Sequence, residues 1–455
     1  MQASGLSGIL RGIKSLYDQL LMSTYRRFHI LRSEPAVRQT FEIPLDIPDV
    51  TIENVTTNRL GHIEITVKST VEGTPCHRCG KMTTQFYGED REIILRHLPI
   101  LGRKTLIRLR PKRYQCLYCH GNPTTTQTLS WHTPRSSFTK AYEKQILLSL
   151  VNSTVQDISI KEDIGYEAIM GIMDRYIERA INWADVPRLD GLGLDEISLK
   201  KGHRDFVAII TGRIETETVI LGVLPDRKKA TVKAFLSGIP RRVRHTIHVV
   251  CTDMYEGFVN AAKEVFGKRV KIVIDRFHVA KLYRRGVDSL RKHELKRLQK
   301  ELSAEAYEQL KGAMWALRKS GEQLTDADKD VLVCLFEHSP CLQMAYELCH
   351  ELTAIFDRQL SKREGKRQIW HWMYKVRASK LRCFDRFLTT LETWLDDIAN
   401  YFIDRHTSGF VEGFNNKLKV IKRRCYGILN VTHLFQRIQL DLYGHSLFAL
   451  KIIEL

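Results

Sequence analysis

Across its 455 residues the sequence has no apolar run that approaches the ~18–20 residues of a membrane span. Its one early apolar stretch, residues 8–22, is broken by Arg11, Lys14 and Asp18, unlike the core of a secretory signal; the expectation is a cytoplasmic protein with no membrane partner. Internal repeats and low-complexity tracts are also missing. Hydrophobic residues make up 43% and charged residues 27%, which excludes a disordered chain and allows two or more domains with cores of their own. Ten cysteines in a chain this long are too few for a disulfide scaffold. Acidic residues are in deficit, 52 against 71 Lys and Arg, and the net charge of +19 calls for a polyanionic partner, nucleic acid first.

Four of the cysteines form two pairs, Cys76-His-Arg-Cys79 and Cys116-Leu-Tyr-Cys119, at the margins of strand-like sequence. Two such knuckles make a four-thiolate tetrahedral site for one structural zinc, whereas a redox pair would need a thioredoxin-like context that is absent. The other six cysteines, Cys251, Cys334, Cys341, Cys349, Cys383 and Cys425, stand singly in apolar or helical surroundings and read as reduced core residues. Residues 50–55 and 62–68 alternate like a β-hairpin leading into the first knuckle. Between the knuckles, Arg108, Arg110, Lys112 and Arg113 give the ribbon a basic face suited to DNA phosphates.

Residues 192–277 have a different order. Three strand-like runs joined by short turns come first, then a helix, a fourth strand, another helix and a fifth strand. That succession is the order of a ribonuclease-H-like sheet, with the first and fourth strands side by side. The first run carries Asp195 and the fourth ends at Asp253, so two carboxylates would be neighbours. Each alone reads as a turn or cap residue, but two adjacent anions in a basic chain suit a hard cation, Mg²⁺ or Mn²⁺. The fifth run ends at Asp275-Arg-Phe-His278, which would border the same place or serve as a helix cap with a core histidine.

A third ligand is expected from a helix across the sheet. In residues 408–424, Val411, Phe414, Leu418 and Ile421 form an apolar stripe, while Glu412, Asn416, Lys419 and Arg423 line a neighbouring face. An acid followed by cations at successive turns suggests a carboxylate facing a phosphodiester backbone; a glutamate favoured by the helix dipole is the competing reading.

Two helical stretches complete the chain. Three helices are predicted within residues 138–183, the last over 166–183, with a tight turn at 163–165; the spacing is that of a helix-turn-helix, against a plain linker bundle. The third helix is poor in basic residues beyond Arg175 and Arg179, which weakens it as a reader of bases. Residues 286–404 read almost entirely as helix, and Trp370 and Trp372 alternate there with cations. They would either stack unpaired bases or belong to a core.

The Asp195, Asp253 and Glu412 segments, the Asp275-Arg-Phe-His278 run and above all Val-Glu412-Gly-Phe-Asn-Asn-Lys resemble the DDE transposases of bacterial insertion sequences, specifically the ISL-three family. The resemblance runs from about Asp46 to the end of the chain. It implies an α/β catalytic core, ribonuclease-H-like with a helical insertion, preceded by an N-terminal zinc ribbon and a helix-turn-helix helical domain. The expected divisions are an N-terminal helical segment (1–45), a zinc ribbon (46–135), a helix-turn-helix domain (136–185), the first part of the core (186–285), the insertion (286–404) and the C-terminal helices of the core (405–455). By the same resemblance two Mg²⁺ or Mn²⁺ ions would be held by Asp195, Asp253 and Glu412, with Asp275 and His278 in support. The enzyme would bind terminal inverted repeats, cleave at the element ends and join the 3′-OH to target DNA as a homodimer or larger assembly, in the cytoplasm and associated with the nucleoid. The alternatives are a ribonuclease-H-like nuclease that cuts without joining, and a zinc-ribbon and helix-turn-helix regulator whose acids are structural.

Overall fold

The structure is a computed structural model, described here for residues 43–45, 47–200, 204–319, 321–405, 409–424 and 430–449. Nearly all of the N-terminal segment expected over 1–45, and Cys425, lie outside the described residues.

The front of the chain is β-structure. Strands β1 (Val50–Thr57), β2 (Ile63–Ser69), β3 (Ile93–Ile100) and β4 (Arg103–Leu109) form a sheet in the order β1-β2-β4-β3, with β2 parallel to β4. The β1–β2 hairpin turns at Asn58, whose side-chain oxygen accepts from the N–H groups of Leu60 and His62, and Gly61 supplies the positive φ of 78° that the turn requires. Alternation places Thr105, Ile107 and Leu109 inward, against Ile65, Val67, Leu95 and Trp131. A smaller three-stranded sheet, Gln85–Glu89, Lys112–Gln115 and Thr124–Thr126, carries the second cysteine knuckle between its last two strands, and a two-stranded ribbon, Thr74–Pro75 and Met82–Thr83, carries the first.

Three helices follow, α1 (Lys140–Leu150), α2 (Val155–Glu162) and α3 (Tyr166–Tyr176). Thr139 and Thr154 cap the first two, accepting from Tyr142 N–H and Asp157 N–H. Asp163 closes α2 in the left-handed region at φ 52°, which gives the tight turn read from the sequence. Helix α3 stops at Tyr176 rather than continuing to 183. Ile177 is extended and buried, and its carbonyl accepts from Gln436 Nε2 at 2.9 Å. A contact with a helix 259 positions away thus overrides local helical periodicity.

The central sheet contains β5 (Gly191–Lys200), β6 (Arg204–Ile214), β7 (Glu217–Leu224), β8 (Val249–Thr252) and β9 (Lys271–Ile274) in the order β7-β6-β5-β8-β9. The first three are antiparallel; β8 runs parallel to β5, and β9 parallel to β8. First and fourth strands are adjacent, as the order of runs predicts. Leu192 and Leu194 face one apolar cluster, shared with α4 (Lys229–Gly238), α5 (Glu256–Phe266), α6 (Arg276–Glu301), α7 (Asp326–His338), α8 (Pro340–Asp357), α9 (Lys362–Ser379) and α10 (Asp385–Ala399). The helices expected as an insertion therefore share one core with the sheet. Ile197 and Leu199, on the opposite side of the same strand, pack with Phe414, Leu418 and Ile421 of α11 (Gly409–Arg424) and Leu434, Phe435 and Ile438 of α12 (Val431–Phe448).

Candidate active site and nucleic-acid interface

In the parallel register of β5 and β8, Leu194 lies beside Thr252, so the next positions, Asp195 and Asp253, are neighbours across a strand spacing of about 4.8 Å. Thr252 in turn lies beside Ile274, which puts Asp275 next to Asp253. The three adjacent parallel strands β5, β8 and β9 thus bring three carboxylates to one end of the sheet. Asp195 Oδ1 accepts from Glu196 N–H at 2.7 Å and Asp253 Oδ1 from Tyr255 N–H at 3.1 Å. Burial holds the Asp195 carboxyl above its ordinary range and pushes Asp253 up to about 6, with Asp195 and Glu196 adding repulsion. His278 opposes this at both acids, and Lys419 of α11 does so at Asp195.

Asp275 is buried and caps α6, accepting from Phe277 N–H at 3.2 Å, and its Oδ2 is 3.9 Å from His278 Nε2. The structure therefore combines two readings held apart by the sequence: Asp275 is a cap, and its histidine still faces the acid pair. Glu412 lies in the first turn of α11. That helix is fixed over the sheet by its apolar stripe and by Lys422 Nζ, which donates to the carbonyl of Ser198. Helical spacing puts position 412 two turns before Lys419 on the same side of the helix.

Two neighbours were not singled out from the sequence as a pair. Glu196 Oε2 accepts from Arg227 Nη1 at 2.5 Å, and the Arg227 guanidinium lies 4.4 Å from the Phe206 ring and 4.7 Å from that of Tyr255. Arg227 is close enough to Asp253 for that acid to help raise its pKa. Only the approach of the segment after β7 to the end of β5 creates this group, so periodicity carries no signal for it.

The four paired cysteines converge. Cys76 Sγ is 4.0 Å from Cys119 Sγ, Cys79 Sγ is 3.7 Å from Cys116 Sγ, and all four sulfurs lie within 4.8 Å of one another. Ligands about 2.3 Å from a central tetrahedral ion stand ~3.8 Å apart, so the cluster is of the size a metal requires. Backbone N–H groups of Cys79 and Arg78 pull the Cys76 thiol down to about 6, while the Cys79 thiol and burial push Cys119 up to about 12. Four thiolates this close repel unless a cation lies among them.

The proposed DNA contacts separate into groups. Arg108 is engaged by Glu64 at 2.9 Å and Glu92 at 2.7 Å, and Arg113 donates to Thr124 Oγ1 and lies over Tyr87. Lys112 Nζ reaches the Val71 carbonyl at 3.4 Å. Arg110, Asn416, Lys419 and Arg423 are exposed. Trp370 is 49% exposed on α9, but Trp372 is 0% exposed, donates Nε1–H to the Leu348 carbonyl and meets Phe384 and Phe387 edge-on. Trp372 is therefore a core residue with no face for a base, which corrects the stacking role expected of it: residues two apart on a helix point to different sides. Arg175 of α3 pairs with the buried Glu143 and is committed within the protein, and Arg179, beyond the end of that helix, makes an exposed pair with Asp174 at 2.9 Å.

A family model described as a transposase matches residues 192–438, from β5 into α12, and a second, the helix-turn-helix domain of transposase family ISL3, matches residues 127–177. The chain belongs to the ISL3 family of transposases. The transposase for insertion sequence element IS1001 of Bordetella parapertussis is 25% identical to it over 386 residues, covering 84% of this chain and 92% of that protein. That for IS1557 of Mycobacterium tuberculosis is 21% identical over 399 residues, 81% and 86% of the two chains. This transposase is thus a DNA-cleaving and strand-transferring enzyme with a helix-turn-helix domain for DNA, which sets aside the regulator and the nuclease that cuts without joining. Among its described residues no helix is long and apolar enough to cross a membrane.

Proposed function

We propose that this transposase acts by two-metal DDE chemistry on a ribonuclease-H-like core, with Asp195, Asp253 and Glu412 as the metal-holding carboxylates. The observation that carries this is the juxtaposition of Asp195 and Asp253 at the ends of adjacent parallel strands, both with raised proton affinity. Such a pair fits divalent cations such as Mg²⁺ or Mn²⁺, which when bound activate an attacking oxygen and stabilise the leaving one. The chain's own part is to hold the acids in register, to keep His278 and Lys419 near them, and to present Asn416, Lys419 and Arg423 of α11 to the DNA backbone. Asp275 positions His278 through the first turn of α6.

The four cysteines form a structural zinc site that stabilises a zinc-ribbon unit over 46–135. The helix-turn-helix over 136–185 and the basic ribbon bind the terminal inverted repeats of the element. Cleavage at the ends is followed by joining of the 3′-OH to target DNA, on a homodimer or larger assembly that pairs two ends, in the bacterial cytoplasm at the nucleoid. The test is incubation of the protein with labelled element ends, target DNA and Mg²⁺. Nicked and joined products are expected from the wild type. Asp195→Asn, Asp253→Asn and Glu412→Gln should bind the ends and yield neither product; retention of cleavage by Glu412→Gln would remove that residue from the ligand set.

A further inference from the structure

A cleft of about 760 Å³ is lined by Tyr255, two residues beyond Asp253, and by Arg227, whose pKa Glu196 first and also Asp253 help to raise. Its rim nearest the acids is Arg227 and Tyr255, and it extends along the sheet end over Phe206, Leu199 and Val207 to Val431 at the start of α12. The volume falls in the range of small-ligand sites and accommodates a group the size of one nucleotide.

The rim is held in place before any ligand arrives. Arg227 is fixed by Glu196 and lies against the rings of Phe206 and Tyr255. The Tyr255 ring rests on Gly257, where an added Cβ would come within 2.5 Å of it, and meets Phe258 edge-on at 5.1 Å. A guanidinium carries five N–H donors, and the contact with Glu196 uses Nη1, which leaves donors for an anion. Behind the rim Leu199, Val207, Pro225 and Val431 form an apolar wall, and Asp226, Lys228, Asn430 and Thr432 add polar groups to the lining. A cation with planar faces at the mouth and an apolar wall behind it matches a phosphate with an unstacked base attached.

We propose that this cleft takes the unpaired nucleotide next to the scissile phosphate, its phosphate on Arg227 and its base against the aromatic and apolar wall. This rests on the assignment of Asp195 and Asp253 to the reaction centre: with the scissile phosphate held there, the adjoining nucleotide is at the mouth of the cleft. Extruding that base breaks its stacking and pairing, a cost the contacts in the cleft offset.

The experiment uses the full chain and duplexes carrying the element's terminal sequence, with 2-aminopurine placed singly at each position on both sides of the cleavage site. Fluorescence should rise several-fold on binding at one position adjoining the scissile phosphate, and its side identifies which strand segment enters. In Tyr255→Ala and Arg227→Ala the rise should be lost and cleavage slowed, and an abasic nucleotide at that position should restore cleavage to Tyr255→Ala, because it removes the unstacking cost. Unchanged fluorescence at every adjoining position in a complex that still cleaves its DNA would overturn the cleft assignment while leaving the reaction centre intact. If the wild type cleaves no end in Mg²⁺, the reaction-centre assignment fails, and the cleft assignment with it.

Discussion

At the scale of residues, the acid pair is a source of instability in the metal-free protein. Asp253 is pushed up to about 6 and Asp195 is raised, whereas both would ionise near the usual carboxylate value in the unfolded chain. The folded state therefore holds more protons between about pH 4 and 6, so metal-free stability is greatest below that window and falls as pH rises through it. Asp253→Asn should raise the melting temperature in chelator at pH 7.5 by an amount corresponding to roughly 1–3 kcal/mol, and the gain should vanish near pH 4. Melts of both proteins across that range check it; parallel pH profiles would count against the pair as described. Mg²⁺ should stabilise the wild type more than the variant.

At the scale of elements, α12 ties the helix-turn-helix to the catalytic sheet. Arg437 and Asp441 pair at 3.2 Å with side-chain exposures of 2% and 0%, and Arg437 also donates to the carbonyls of Leu150, the last residue of α1, and Ser153 beyond it. Asp441 accepts from Asn152 N–H at 2.8 Å. Gly444 lets α12 approach this turn, since a Cβ there would come within 2.6 Å of Val151. Arg437→Met leaves the Asp441 charge buried without its partner and should cost about 3–5 kcal/mol in denaturant unfolding; adding Asp441→Leu should recover part of that loss. The front sheet is joined to the same helices by Arg96 and Lys104, which pair with Glu162 and Asp163. Beneath it the cysteine cluster should bind about one zinc per chain, measured by elemental analysis, and chelation should unfold the small sheet before the central one.

At the scale of the molecule, the charge of +19 makes DNA affinity salt-dependent, but the cations do not contribute equally. Lys419→Ala or Arg423→Ala should weaken binding to any DNA and reduce the slope of log K against log salt by about 1 each. Arg175→Ala should leave that slope unchanged and instead lower thermal stability, because it removes the cation from buried Glu143 and leaves only the hydroxyls of Ser136 and Tyr176 donating to it. A fall in slope for Arg175→Ala would mean that α3 meets the backbone after all.

What the chain determines by itself is whatever local spacing encodes. Two CxxC pairs, three helices with a tight turn between the last two, five strands in order and the apolar stripe of residues 411–421 are all legible, because each depends on residues close in sequence. The adjacency of Asp195 and Asp253 is expected from the ribonuclease-H-like succession of strands, and the parallel register of β5 and β8 supplies it. Tertiary structure decided which charges are occupied and which faces are covered. Trp372 and Trp370 look alike in sequence, yet packing against α8 and α10 buries one and exposes the other. The partners of Arg437 lie 284 and 287 positions away, and Arg227 finds Glu196 across 31. Such pairs are chosen by the desolvation and geometry of the assembled core, a balance among elements that no single stretch of sequence contains.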